Sequence, residues 1–140
     1  MKVLLDLNVV LDVVLNRQPW VADAKQIWNA HQSGVIDGFL AATELTNLFY
    51  IVRRTAGEPT ARTAVRACLA TFHIEPVGQT TLEEADRQPG LDFEDNVCIA
   101  CAIAAEIDWI VTRDPAGFSQ SPVSAVSPAE LMTRLAPVDP

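Results

Sequence analysis

The sequence predicts an α/β fold, a three-layer sandwich with helices packed on a mostly parallel central sheet. Three observations predict it. Short apolar runs of strand length alternate with stretches of helical period along the chain, the pattern of repeated βα units. The 140 residues are 49% hydrophobic, enough for one sizeable core and too few for two ordinary domains. No run of 18 or more apolar residues interrupts the alternation, so no membrane-spanning helix is expected. The expected organisation is one domain over residues 1–136 with a loose tail at 137–140.

Taken in order, KVLLD at residues 2–6 predicts a short buried strand, and the apolar positions from Val9 to Leu15 predict a helix beginning just past Asn8, which would cap it. From Ala22 to Gln32, Ala24, Ile27, Trp28 and His31 recur at helical spacing, and Gly34 supplies a stop. VIDGFLAA at 35–42 is a second strand. A long helix follows over 43–54, with Leu45, Leu48, Phe49 and Val52 on its apolar face, and Thr60 caps another that reaches Phe72. HIEPV (73–77) is a third strand; Thr80 or Thr81 caps the short helix after it. DFEDNVCIACAIAAEI (92–107) predicts a helix of small residues able to approach a sheet closely, with Asp92 as N-cap and Asp95 at the capping-box position. DWIVT (108–112) and VSAVS (123–127) are the last strands, and Ser127 with Pro128 opens the final helix.

The formal net charge of −8 excludes binding of nucleic acid by a broadly basic face. It leaves open an acidic enzyme that reaches phosphate through a bound cation. Cys68, Cys98 and Cys101 are odd in number and lack framework spacing, which fits free thiols in a reducing, cytoplasmic compartment; the first residues lack the pattern of a signal peptide.

Acids recur where strands are predicted to end. Asp6 closes the first strand, Asp114 follows the fourth, Asp95 lies in the first turn of the helix feeding the fourth, and Glu44 opens the helix after the second. Ligands bind beyond the carboxyl ends of strands in such sheets, so these four acids form a candidate site.

The segments LLDLNVVLDVVLN, DFEDNVCIACAIAAEIDWIVTRDPAGF and SAVSPAEL resemble the PIN domain, as found in VapC-type toxin ribonucleases, over Met1 to about Leu135. The resemblance implies an endoribonuclease that cuts single-stranded RNA with Mg²⁺ or Mn²⁺ and water as nucleophile, an antitoxin partner and a homodimer. By position it places Asp6, Asp95 and Asp114 on the family's metal-binding acids and Thr112 on a polar position beside them. Two departures stand out. Leu7 occupies a place where the family often carries Thr or Ser, and the family's second acid, just before a Leu-aromatic-aromatic stretch, aligns with Asn47 instead of Glu44. Either Glu44 serves from one turn earlier or the second acid is missing.

Simpler readings compete at several positions. Asp12 lies inside a helix and reads as solvated or salt-bridged, and Glu94 reads as surface. Cys98 and Cys101 form C-x-x-C deep in a helix, where redox or zinc use is not expected, with His31 and His73 in other segments. Trp20, Trp28 and Trp109 are scattered singly as core residues are, and Arg53, Arg54, Arg62 and Arg66 read as solvated surface. LFYIV (48–52) carries more apolar residues than one helix face needs, a reason to expect a dimer contact. Haloacid-dehalogenase-like phosphatases need D-x-D where this chain has DLN, and a receiver domain needs a late lysine that this chain lacks. The remaining rival is a PIN-like binding module without catalysis, favoured by Asn47.

Overall fold

The computed structural model describes residues 1–137; the expected tail lies, from residue 138 on, outside the described residues. Five parallel strands, β1 (Lys2–Leu5), β2 (Asp37–Ala41), β3 (His73–Glu75), β4 (Trp109–Val111) and β5 (Ala125–Val126), stand in the order β3-β2-β1-β4-β5. The helices are α1 (Leu7–Val14), α2 (Val21–Gln32), α3 (Ala42–Ala56), α4 (Glu58–Thr71), α5 (Gln79–Arg87), α6 (Phe93–Ala104) and α7 (Pro128–Leu135). A 3₁₀ turn spans Pro115–Phe118.

Alternation along β1 divides the core in two. Val3 and Leu5 point into a cluster with Leu40, Val9, Ile27, Leu48 and Leu131, which joins α1, α2, α3 and α7 to one face of the sheet. Leu4 points the other way, against Ala41, Ile110, Ala85 and the buried run Val97–Ala102 of α6. That run packs α6 against this face of the sheet. Among the described residues, no helix is long and apolar enough to cross a membrane.

The chain builds β1, β2 and β3 outward on one side, then returns through α5 and α6 to place β4 and β5 on the other. The reversal falls at β1, so the crevice beyond its carboxyl end is the topological switch point, where doubly wound sheets take ligands.

Helix starts are where the sequence reading needs correction. Asn8 does not cap α1: the extended backbone of Asp6 (φ −66°, ψ 147°) makes Asp6 the N-cap, and its carbonyl accepts from the Val9 amide at 3.0 Å. Thr60 lies inside α4, which starts at Glu58 because Gly57, at φ +91°, turns the chain between α3 and α4. Gly78 is the N-cap of α5, and the Thr81 hydroxyl reaches back to accept its amide at 3.2 Å. The expected caps Asp92 and Ser127 are in place, accepting from the amides of Asp95 (3.1 Å) and Glu130 (3.2 Å). The LFYIV stretch is mostly consumed by the chain's own core: Leu48 and Val52 are buried, Phe49 and Ile51 half-buried, and Tyr50 alone is exposed. It supplies no broad apolar patch for a dimer.

Candidate active site

Three acids reach the switch point from three helix N-termini. Asp6 is the N-cap of α1, Glu44 stands in the first turn of α3, and Asp95 in the first turn of α6. Each helix starts directly or shortly after a strand or loop at this edge, so its partial positive end favours a carboxylate there. Asp6, Glu44 and Asp95 line one pocket of about 30 Å³ together with Asn47, Glu94 and Cys98. That volume admits an ion or a water, not a nucleobase.

The pocket is electrostatically tense. Asp95 is pushed up to about 6, chiefly by burial and then by the carboxylates of Asp92, Asp6, Glu94 and Asp114. Burial also raises Asp6, opposed by the hydroxyl of Thr112, which donates to Asp6 Oδ2 at 2.9 Å. Glu44 is only 4% exposed. Burial raises it well above the ordinary glutamate value, and the negative charge of Asp6 adds to the effect. Its Oε1 accepts from the Cys98 thiol at 3.1 Å, while Oε2 is buried with no partner.

Asp114 stands at the rim. It is exposed and does not line the pocket, yet its charge is felt at Asp95. Its amide donates to Thr112 Oγ1 at 3.2 Å, so one buried hydroxyl ties Asp114 to Asp6. Asn47 lines the pocket but spends its amide on a long 3.4 Å contact with Glu94 Oε1. Asn8 is exposed and outside the pocket lining.

Two pocket residues escaped the sequence reading. Glu94 is exposed, as expected of a surface residue, but it faces the pocket through Asn47. Cys98 was read as an inert core thiol; its position three residues after Asp95 puts both on one face of α6, which is the signal that could have found it. The thiols are free and buried, and burial pushes Cys68 and Cys101 up to about 12 and Cys98 well above its ordinary value, so all three stay protonated near neutral pH. His31 is structural: Nδ1 accepts from the Gly38 amide at 2.9 Å and Nε2 meets the Thr71 carbonyl. Asp12 is salt-bridged and buried, not solvated.

Among the described residues, no three His, Cys, Asp or Glu side chains stand close enough together to make a finished cation cage. The donor set still suits a hard cation. It is made of carboxylate oxygens, with one of them, Glu44 Oε2, buried and unpartnered, and with neighbouring carboxylates whose repulsion a cation would relieve.

The PIN domain family matches residues 2–116 of the chain, from β1 through β4 into the start of the 3₁₀ turn, a span that includes Asp6, Glu44, Asp95 and Asp114. The chain belongs to the PIN-domain family. None of the curated protein sequences matches this PIN domain. Among solved structures it is similar to a chain of the DNA-bound VapBC complex from Salmonella typhimurium, with a TM-score of 0.71 at 13% identity, over 91% of this chain and 98% of that one. It is also similar to a toxin-antitoxin complex from Klebsiella pneumoniae, with a TM-score of 0.68 at 24% identity, over 90% and 97% of the two chains. A third likeness is to VapC20 of Mycobacterium tuberculosis, a toxin that cleaves the sarcin-ricin loop, with a TM-score of 0.65 at 16% identity, over 77% and 86%. These likenesses show the PIN fold.

Proposed function

We propose that this PIN domain is an endoribonuclease that hydrolyses phosphodiester bonds of single-stranded RNA with Mg²⁺ or Mn²⁺. The observation that carries the reading is the convergence of Asp6, Glu44 and Asp95 on one small pocket at the switch point, at an electrostatic cost that has no structural return. Three carboxylates buried together in a metal-free pocket hold protons above their ordinary values, chiefly because burial disfavours their charge and then because neighbouring carboxylates repel them. A divalent cation offsets that repulsion and, when bound, supplies a polarised phosphoryl oxygen and an acidified water.

The chain's own groups divide the remaining work. Asp6 and Asp95 hold the cation, Asp114 contributes from the rim, and Glu44 adds charge from behind. The Thr112 hydroxyl keeps Asp6 turned into the pocket and the strand end of Asp114 beside it. With eight net negative charges, the chain has no bulk attraction for RNA, so capture of the substrate depends on this local site.

The role is that of the toxin in a toxin-antitoxin pair, acting in the cytoplasm as a homodimer until an antitoxin covers it. The fold's likeness to chains of toxin-antitoxin complexes supports this, and so does the Klebsiella relative at 24% identity. A catalytically silent binding module is the second reading; Asn47 at the family's second acidic position favours it. Incubation of the purified protein with single-stranded RNA separates the two. Cleavage that needs Mn²⁺ or Mg²⁺, stops in excess chelator and is lost in Asp6→Asn and Asp95→Asn supports the nuclease. RNA retained but uncut at saturating Mn²⁺ supports the silent module, and cleavage undiminished by chelator overturns the metal reading. Light scattering reads the oligomeric state, and a short adjacent reading frame encoding a DNA-binding head and an amphipathic tail identifies the antitoxin.

A further inference from the structure

Asp12 is the one acid of α1 that takes no part in the pocket, and it is 1% exposed. Arg113 Nε lies 3.1 Å from its Oδ2, and Arg17 Nη1 lies 3.9 Å from its Oδ1. Neither oxygen accepts an aligned hydrogen bond, so the contact is ionic. The Arg113 guanidinium also lies over the Trp20 ring, whose centroid is 4.0 Å from Cζ. Arg113 is therefore held by both a buried carboxylate and an aromatic face, and only 24% of its side chain is exposed.

Position in the chain gives this clamp its meaning. Arg113 sits between Thr112, whose hydroxyl holds Asp6, and Asp114, at the point where β4 gives way to the 3₁₀ turn. Thr112 is bolted to Asp6, the N-cap of α1, and Arg113 is bolted to the same helix six residues later, about 9 Å along its axis. Two attachments fix a segment in orientation; one leaves it free to pivot. A lone buried ion pair is weak support for stability, because desolvation offsets most of the attraction, so thermodynamics gives little reason to bury Asp12.

We propose that Asp12 and Arg113 are positioning residues that lock the Thr112–Arg113–Asp114 segment against α1 and so hold Asp114 and the Asp6-binding hydroxyl in register with the pocket. The metal-affinity part of the test rests on the nuclease reading; the amide-exchange part does not. Replacing the pair by apolar residues of similar volume, Asp12→Leu with Arg113→Met, removes the ionic contact without leaving a buried charge, and such exchanges commonly preserve stability.

Hydrogen exchange of the Asp114 amide and Mn²⁺ titration are read on this variant, on Arg113→Lys and on Arg17→Gln. Loss of the lock should raise exchange at Asp114 about tenfold and weaken Mn²⁺ binding by at least about tenfold, with β1 and β2 amides unchanged, the range found for groups that orient a metal's ligands. Arg113→Lys keeps the charge but loses the planar stack and should fall between the two; it carries the test if the double variant does not fold. Arg17→Gln, which touches Asp12 but not the strand end, should leave both quantities within about twofold of wild type. Folded variants with wild-type exchange at Asp114 overturn the proposal. Faster exchange at Asp114 in a protein that binds no Mn²⁺ even as wild type leaves the lock standing and removes the metal reading.

Discussion

The Cys98 thiol donates to Glu44 Oε1 at 3.1 Å and leaves Oε2 as a buried oxygen without a partner. A donor to the ionised form favours ionisation, so Cys98 works against the burial that raises the proton affinity of Glu44. Cys98→Ala should therefore make Glu44 hold its proton more tightly and weaken Mn²⁺ binding at pH 7 by about fivefold, the equivalent of one modest hydrogen bond. Cys98→Ser keeps a donor and should match or exceed wild type. Calorimetric Mn²⁺ titration of the two variants checks the order, and equal loss in both would show that the site needs only the volume of the thiol.

Glu44 and Asn47 compete for the role of second acid. They differ by about 60° around α3 and about 4.5 Å along it, and both line the pocket. Glu44 has a free oxygen, whereas the Asn47 amide is engaged with Glu94. Glu44→Gln should lower RNA cleavage much more than Asn47→Ala, by about 100-fold against less than about tenfold. Asn47→Asp should leave it equal or higher. A protein that keeps activity as Glu44→Gln and loses it as Asn47→Ala would reverse the assignment.

The raised carboxyls give the metal-free protein a characteristic pH dependence. Asp6, Glu44 and Asp95 bind protons more tightly folded than unfolded. Their contribution is fully present below the unfolded values near pH 4 and is lost as pH rises through the folded ones, about 6 for Asp95. In chelator, the melting temperature should fall by about 3 °C or more between pH 4.5 and 7.5, and Mn²⁺ at pH 7.5 should restore it. Asp95→Asn should flatten that slope. Calorimetry across this window checks it; a metal-free melting temperature that rises with pH would show that favourable partners of the ionised carboxylates outweigh their burial and mutual repulsion.

Period and composition made the layers legible: alternation in KVLL assigns Val3 and Leu5 to one core and Leu4 to the other, and the apolar run of α6 joins Leu4 in the second. The acids were legible because each follows a strand end. Helix starts were not, since Asn8 and Thr60 are good caps by residue type, but Asp6 and Gly57 adopt the backbone that actually begins the helices. The Asp12–Arg113 pair was invisible for a different reason. Their contact spans 101 positions, and no local pattern encodes which arginine a buried aspartate meets.

The last prediction uses Gly117 to test Asp114, whose carboxylate stands at the rim and whose role the pocket lining leaves undecided. A Cβ at Gly117 would lie 3.2 Å from Asp114 Oδ2 and 3.8 Å from its Cγ, close enough to push the carboxylate aside by a few tenths of an ångström. Gly117 is exposed within the 3₁₀ turn, so alanine there removes backbone freedom from the unfolded chain. Gly117→Ala should therefore keep or slightly raise the melting temperature while lowering RNA cleavage several-fold, because small displacements of a group at a reacting centre are expensive. Asp114→Asn should cause a larger loss with an unchanged fold. If Gly117→Ala and Asp114→Asn both retain full activity in Mn²⁺, Asp114 is a turn residue only, and the reaction is carried by Asp6, Glu44 and Asp95.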